Sequence, residues 1–177
     1  MENNIRFKNT FWDDFPFNLD VVRDIERVVL MEEKYYHFMR ARADSETAKY
    51  RSDMLEKREE EHGWMLDLYN YWNVTSDESR EMLNRRYIER VVGCIENVTN
   101  SACTLTTKEK KEQIKNMITS KNVRTALKYA KPNSLVMKIM LIPIKLKWTW
   151  LTYLEGAFIS KVKSGNVKLF AKLKANR

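Results

Sequence analysis

Most apolar positions in this chain recur at helical spacing. Phe17, Val21 and Ile25 lie four residues apart behind Asp13, Asp14 and Pro16. An acid pair with proline in the first turn predicts a helix start there. Met54, Leu55, Trp64, Met65, Leu68, Tyr69 and Trp72 predict the apolar face of a long helix running from about Lys49. Its charged stretch, Glu56-Lys57-Arg58-Glu59-Glu60-Glu61, reads as a solvated face. Thr75-Ser76-Asp77-Glu78 reads as a capping box for a second helix with Met82, Leu83, Tyr87, Val91 and Ile95 on one side. Thr106-Thr107-Lys108-Glu109 opens a third helix through about Met117, and residues 122–130 form a short one stopped by Lys131-Pro132. Two runs break the helical rule. Val28-Val29-Leu30-Met31 and Tyr35-Tyr36-His37-Phe38-Met39 are short and rich in β-branched or aromatic residues, and they predict two strands. Residues 40–48 read as a polar loop.

The last segment differs in kind. Between Ser134 and Lys163 apolar residues dominate, and Lys138, Lys145 and Thr152 recur every seven residues. That spacing predicts one polar stripe on a single, broadly apolar helix, kinked at Pro143. The lysines interrupt any apolar run long enough to span a bilayer. A long apolar face, a lysine stripe, and Trp148, Trp150 and Tyr153 near its middle predict an interfacial membrane helix. A helix packed in a globular core is the competing reading.

Composition sharpens the fold class. With 177 residues, 44% hydrophobic and 32% charged, the chain is long enough for one cored domain and is not disordered in composition. Only 4 Gly and 3 Pro exclude a turn-rich sandwich or barrel. The expectation is a mainly α chain with a small β element. Charge is uneven: residues 131–177 hold ten cations against Glu155 alone, a net +9, so the first 130 residues carry −1 of the total +8. A basic tail on a near-neutral body points to a polyanionic surface, lipid or nucleic acid. Nine of the ten cations are lysines, beside an apolar helix, which disfavours nucleic acid as the partner. Cys94 and Cys103 make no disulfide framework and read as free thiols in a reducing cytosol, and the start of the chain has no apolar leader core.

Catalytic signals are few. The chain has no Gly-rich phosphate loop, no H-E-x-x-H and no Ser/His/Asp order. His37, in an aromatic run, reads as structural, and His62, inside a Glu-rich helix, as solvated. Asp13-Asp14 is the one acidic constellation between a loop and a helix, and its plain reading is a helix cap.

The segment Asp13-Asp14-Phe15-Pro16-Phe17-Asn18 resembles the acid motif E/D-D-x-x-F-N of family 2 glycosyltransferases with the GT-A fold. The residues after this motif are similar in order to the family's: a helix, a short strand, then Glu33-Lys34-Tyr35-Tyr36-His37-Phe38, then a loop with Arg40, Arg42, Ser45 and Thr47. The end, from Ala126-Leu127-Lys128-Tyr129-Ala130-Lys131-Pro132 through Trp150-Leu151-Thr152-Tyr153 to Leu173-Lys174, is similar to the tails of bacterial capsule and exopolysaccharide transferases.

The resemblance implies that Asp14 is the catalytic base, taking the acceptor hydroxyl's proton, and that Asp13 tunes it or binds the acceptor. It implies that Arg40 and Arg42 close on the diphosphate, and that Trp12 stacks on a sugar, with ordinary surface and packing roles as their alternatives. The implied partners are a nucleotide sugar, a glycan or lipid-linked acceptor and the anionic inner leaflet, with the protein cytoplasmic and peripheral on the membrane. The family holds Mg²⁺ or Mn²⁺ on a D-x-D pair in an N-terminal nucleotide-binding half. This chain has no D-x-D. It therefore resembles only the C-terminal part of such an enzyme, expected to be inactive alone and to bind no metal. The expected division is 1–48, the end of the GT-A catalytic domain and its mixed sheet; 49–130, a helical bundle; and 131–177, a basic amphipathic membrane-proximal tail. A non-enzymatic helical module that binds a membrane or a partner is the alternative.

Overall fold

A computed structural model describes residues 5–33 and 49–165, the latter with side chains through residue 162. Its elements are helices: α1 (Asp14–Val22), α2 (Met54–Tyr71), α3 (Asp77–Val98), α4 (Thr107–Thr119), α5 (Lys121–Tyr129), α6 (Leu135–Lys145) and α7 (Thr149–Gly165). The chain is mainly α, and no strand occurs among the described residues. Two compact units divide it: residues 1–49 with 60–74, and residues 50–59 with 75–177.

The first unit contains α1 and the greater part of α2. Asp13 is the N-cap of α1, its side chain accepting from the Asp14 backbone N–H at 2.9 Å. Pro16 sits buried in the first turn, where a missing N–H costs nothing. Phe15 lies 6.3 Å from the Trp64 ring, and Phe7 stacks on Phe17 at 4.2 Å. Beyond α1 the expected strand does not form. Val28, Val29, Leu30 and Met31 are 62–92% exposed, and their main chain makes no backbone hydrogen bond among the described residues. A β-branched run needs a partner strand to satisfy its amides, and none of the described residues of this unit supplies one. The second expected strand, Tyr35–Met39, and the loop bearing Arg40 and Arg42 lie outside the described residues.

The second unit is a helical bundle. α3 packs on α4, α5 and α7, α4 on α5 and α7, and α6 on α7. Its core takes Tyr87, Ile88, Val91, Val92 and Ile95 from α3, Ile114 and Ile118 from α4, Val123 from α5, and Met137, Leu141 and Ile144 from α6. The caps are largely written in the sequence. Thr106 and Glu109 form a reciprocal capping box at α4, and Ser120 closes α4 and opens α5. At α3 the cap is Ser76, bonded by the Ser79 N–H, one residue past the expected Thr75. Asn97 clips the main chain of Arg51 from both sides, at 3.0 and 2.7 Å.

The charged stretch of α2 is not a solvated face. Glu59 accepts from Tyr87 Oη and from Asn122 Nδ2 in the second unit, and Tyr87's phenol is raised, first by burial and then by Glu59. Glu60 accepts from Thr10 in the first unit at 3.2 Å, Glu61 is buried, and His62 is half-buried.

Residues 134–163 form two helices, not one. α6 runs through Pro143 and ends in a Schellman turn: the Lys147 N–H reaches Ile144 O at 3.2 Å, and the Trp148 N–H reaches Pro143 O at 2.8 Å. Lys147 takes the left-handed conformation that this turn requires, at φ 59°. Arg124 donates to the carbonyls of Ile144 and Lys145, closing the same helix end. Thr152, expected on the polar stripe, is buried and bonds to Trp148 O at 3.0 Å. The seven-residue repeat fails because the helix restarts between Lys145 and Thr152.

Glu155 faces a cavity of about 10 Å³ together with Glu96 and Thr152, and burial pushes its carboxyl up to about 7. Because the folded value exceeds the ordinary 4.5, the protonated form favours folding. That contribution is complete below about pH 4.5 and is lost as pH rises through about 7. Asp53 and Glu109 carry the opposite sign, held low by hydrogen bonds from Arg51 and Thr106, and act only in acid below their ordinary range. The thermal midpoint is therefore expected to fall between pH 5 and pH 8 in the natural chain and to stay flatter in Glu155→Gln. Parallel curves for the two proteins would remove Glu155 as the cause.

Candidate functional site

Three of the sequence-predicted site residues meet at the start of α1. Trp12 is half-buried and packs edge-on against Phe11 at 4.8 Å, so packing takes up part of its ring. Asp13 commits a carboxylate oxygen to the cap. Asp14, the first residue of the helix, is exposed, and its carboxylate has no hydrogen bond or ion pair among the described residues. The two adjacent acids thus differ in what they are free to do. The helix dipole holds negative charge favourably at both positions.

Beside this turn, in the same unit, lies an open cleft of about 410 Å³ between α1 and the second half of α2. Pro16 contributes to its wall, two residues from Asp14. Trp64 and Tyr71 give aromatic surface, and Lys8, Asp20, Arg23 and Asp67 give charge. Lys8 pairs with Asp20 at 3.3 Å, and the Arg23 guanidinium lies 4.0 Å over the Tyr71 ring. Tyr71 Oη donates to Asp24 at 2.6 Å, and Trp72 Nε1 donates to Arg23 O at 2.6 Å, which fixes the far wall. An aromatic face ringed by fixed donors and acceptors suits a polyhydroxylated ligand. Sequence reasoning missed these residues. The signal available was Asp20 and Arg23, three residues apart across the C-terminal end of α1, where Arg23 is the C-cap.

Neither a family model nor a curated protein nor a solved structure matches this chain.

Among the described residues no three His, Cys, Asp or Glu side chains gather as a metal site. With no D-x-D in the sequence, these residues do not fit the divalent ion of the resembled family, and no chemical step here runs through one. No helix among the described residues is long and apolar enough to cross a membrane. Neither Cys94 nor Cys103 is in a disulfide, and both are buried. The hydrogen bond with Cys103, aided by burial, pushes the Tyr50 phenol up to about 12.

Proposed function

We propose that this chain is the acceptor-side, C-terminal part of a family 2 glycosyltransferase of the GT-A type. Joined to a nucleotide-binding half, it transfers a sugar from a nucleotide sugar to a glycan or lipid-linked acceptor in cell-surface polysaccharide synthesis, at the inner face of the membrane. The observation that carries this reading is the inequality of the acid pair. Asp13 is occupied as a cap and Asp14 is left to solvent at a helix start. Asp14 accepts the proton of the acceptor hydroxyl as that oxygen bonds to the anomeric carbon. The bond from that carbon to the nucleotide diphosphate breaks on the opposite side, inverting the centre. Asp13 fixes the turn that aims Asp14, and the cleft beyond Pro16 receives the acceptor sugar, with the Trp64 ring as its stacking surface. Arg40 and Arg42 meet the diphosphate.

Val28–Met31 supports the same reading. A continuous apolar run is the pattern of a strand covered on both faces of a largely parallel sheet. Here all four residues lie in solvent. On this proposal they are the end of the catalytic sheet and form a strand only against the nucleotide-binding half.

The deciding test is the coding DNA upstream of the Met1 codon. A frame that encodes a nucleotide-binding half with D-x-D, open or broken by a single stop or frameshift, supports the proposal. An unrelated gene or a ribosome site directly upstream sinks it. A second reading, a non-enzymatic helical module for a membrane or partner, is favoured by the exposed apolar rows of α6 and α7. In it Asp13 and Asp14 only begin a helix.

A further inference from the structure

The outward side of α6 and α7 is as apolar as the side that packs. Along α6, Met137, Met140, Leu141 and Ile144 are buried. Leu135, Ile139, Ile142 and Leu146 recur at steps of four, three and four on the opposite face and are 49–73% exposed. α7 repeats the arrangement: Thr152 and Gly156 face inward, while Trp150, Leu154 and Phe158 are 39–63% exposed. The turn between the helices adds Trp148 at 55%. Such a concentration of large apolar side chains in solvent marks an interaction surface.

Charge identifies the partner. The ionisable groups accompanying these rows are Lys131, Lys138, Lys145, Lys147 and Lys161, against Glu155. Lys138 and Lys145, seven residues apart, flank the exposed row of α6, and Lys147 sits at the turn. A protein interface rich in aromatics tends to lose lysine from its centre and to use arginine. Lysines edging a face of Trp, Leu and Ile match a bilayer interface, where their stems lie along the acyl boundary and their ammonium groups reach the headgroups.

We propose that the α6–α7 surface docks on an anionic lipid bilayer. Ile142, Leu146, Trp148 and Trp150 enter the acyl boundary around the Schellman turn, and Lys138, Lys145 and Lys147 meet the lipid phosphates. The helices lie on the membrane and do not cross it. This deepens the membrane location in the proposed function, but it stands on observations separate from the acid pair. A failure to bind lipid leaves the assignment of Asp14 as base untouched, and a failure of that assignment leaves the docking surface standing.

The test uses the purified full chain with vesicles of phosphatidylcholine alone, and of phosphatidylcholine mixed with phosphatidylglycerol. The expected result is at least about tenfold stronger co-sedimentation with the anionic vesicles, weakening with salt as the lysines are screened. Lys138→Gln/Lys145→Gln/Lys147→Gln is expected to lose up to about a hundredfold, at about fivefold per lysine. Trp148→Ser/Trp150→Ser is expected to lose about tenfold or more with helicity unchanged, since both rings are exposed. Bromine-labelled acyl chains should also quench the natural chain's tryptophan emission, a readout that needs no substitution. Four results would overturn the proposal: no sedimentation with anionic vesicles, binding indifferent to the tryptophan pair, absence of quenching, or duplex DNA bound as tightly as the vesicles.

Discussion

Asp14→Asn, in the chain joined to a nucleotide-binding half, is expected to lower sugar transfer by about a thousandfold, within the range a general base supplies. Donor binding should be retained. The substitution is nearly isosteric at an exposed first helical residue, so α1 should keep its start. Asp13→Asn is the internal control. Asparagine caps a helix as well as aspartate, so this variant preserves the turn and should keep most of the activity. Asp13→Ala removes the cap and costs about 1 kcal/mol of helix stability. Transfer rates with saturating donor and acceptor separate the cases. Full turnover in Asp14→Asn, or equal losses in the two Asn variants, would rule out Asp14 as the base.

The largest structural effect is expected at Gly156, where α7 meets α3. A Cβ there would stand 2.9 Å from Ile95 Cγ2, 3.0 Å from Thr99 Oγ1 and 3.1 Å from Thr99 Cγ2. Neither neighbour can swing away. Ile95 is buried, and Thr99 Oγ1 is held by Ile95 O at 3.0 Å, Glu96 O at 3.1 Å and Ser160 Oγ at 3.1 Å. Alanine's helix preference over glycine returns about 1 kcal/mol, while overpacking costs about 1–3 kcal/mol. Gly156→Ala is therefore expected to be net destabilising by about 1 kcal/mol, and Gly156→Leu by about 3 kcal/mol or more. Gly63 and Gly93, also inside helices, have nothing within 4 Å of an added Cβ. Alanine at either should stabilise by up to about 1 kcal/mol. Denaturant midpoints for the three alanine variants test the argument through their signs. A stabilised Gly156→Ala would mean that α7 does not approach α3 this closely.

The helices could be read from the sequence where local chemistry terminates them. Asp13, Thr106 with Glu109, and Lys131-Pro132 each mark an end within a residue or two of the observed one. The break after α6 escaped because its left-handed residue is Lys147, where glycine is the usual signal, and because the apolar pattern continues across the turn. The fate of the α2 charges escaped for another reason. Glu59 faces Tyr87 and Asn122 from distant parts of the chain, and no local rule says that a carboxylate will find such partners. Val28–Met31 has strand composition, but composition cannot supply the neighbouring strand that would make it one. At the candidate site, the acids were visible as a pair. Which of the two turns back onto the backbone as the cap depends on the local fold, which the pair of residues alone does not show.

The two buried cysteines give the bundle a built-in clock. Cys94 and Cys103 are the chain's only thiols and both belong to the second unit, at 1% and 5% exposure. A maleimide can reach them only when that unit opens, so its labelling rate measures one opening equilibrium. Intrinsic fluorescence cannot do this, because Trp12, Trp64 and Trp72 report from the first unit and Trp148 and Trp150 from the second. For a chain of two units, where a single unfolding free energy is not guaranteed to exist, thiol trapping assigns each loss of protection to the bundle and leaves the other unit silent.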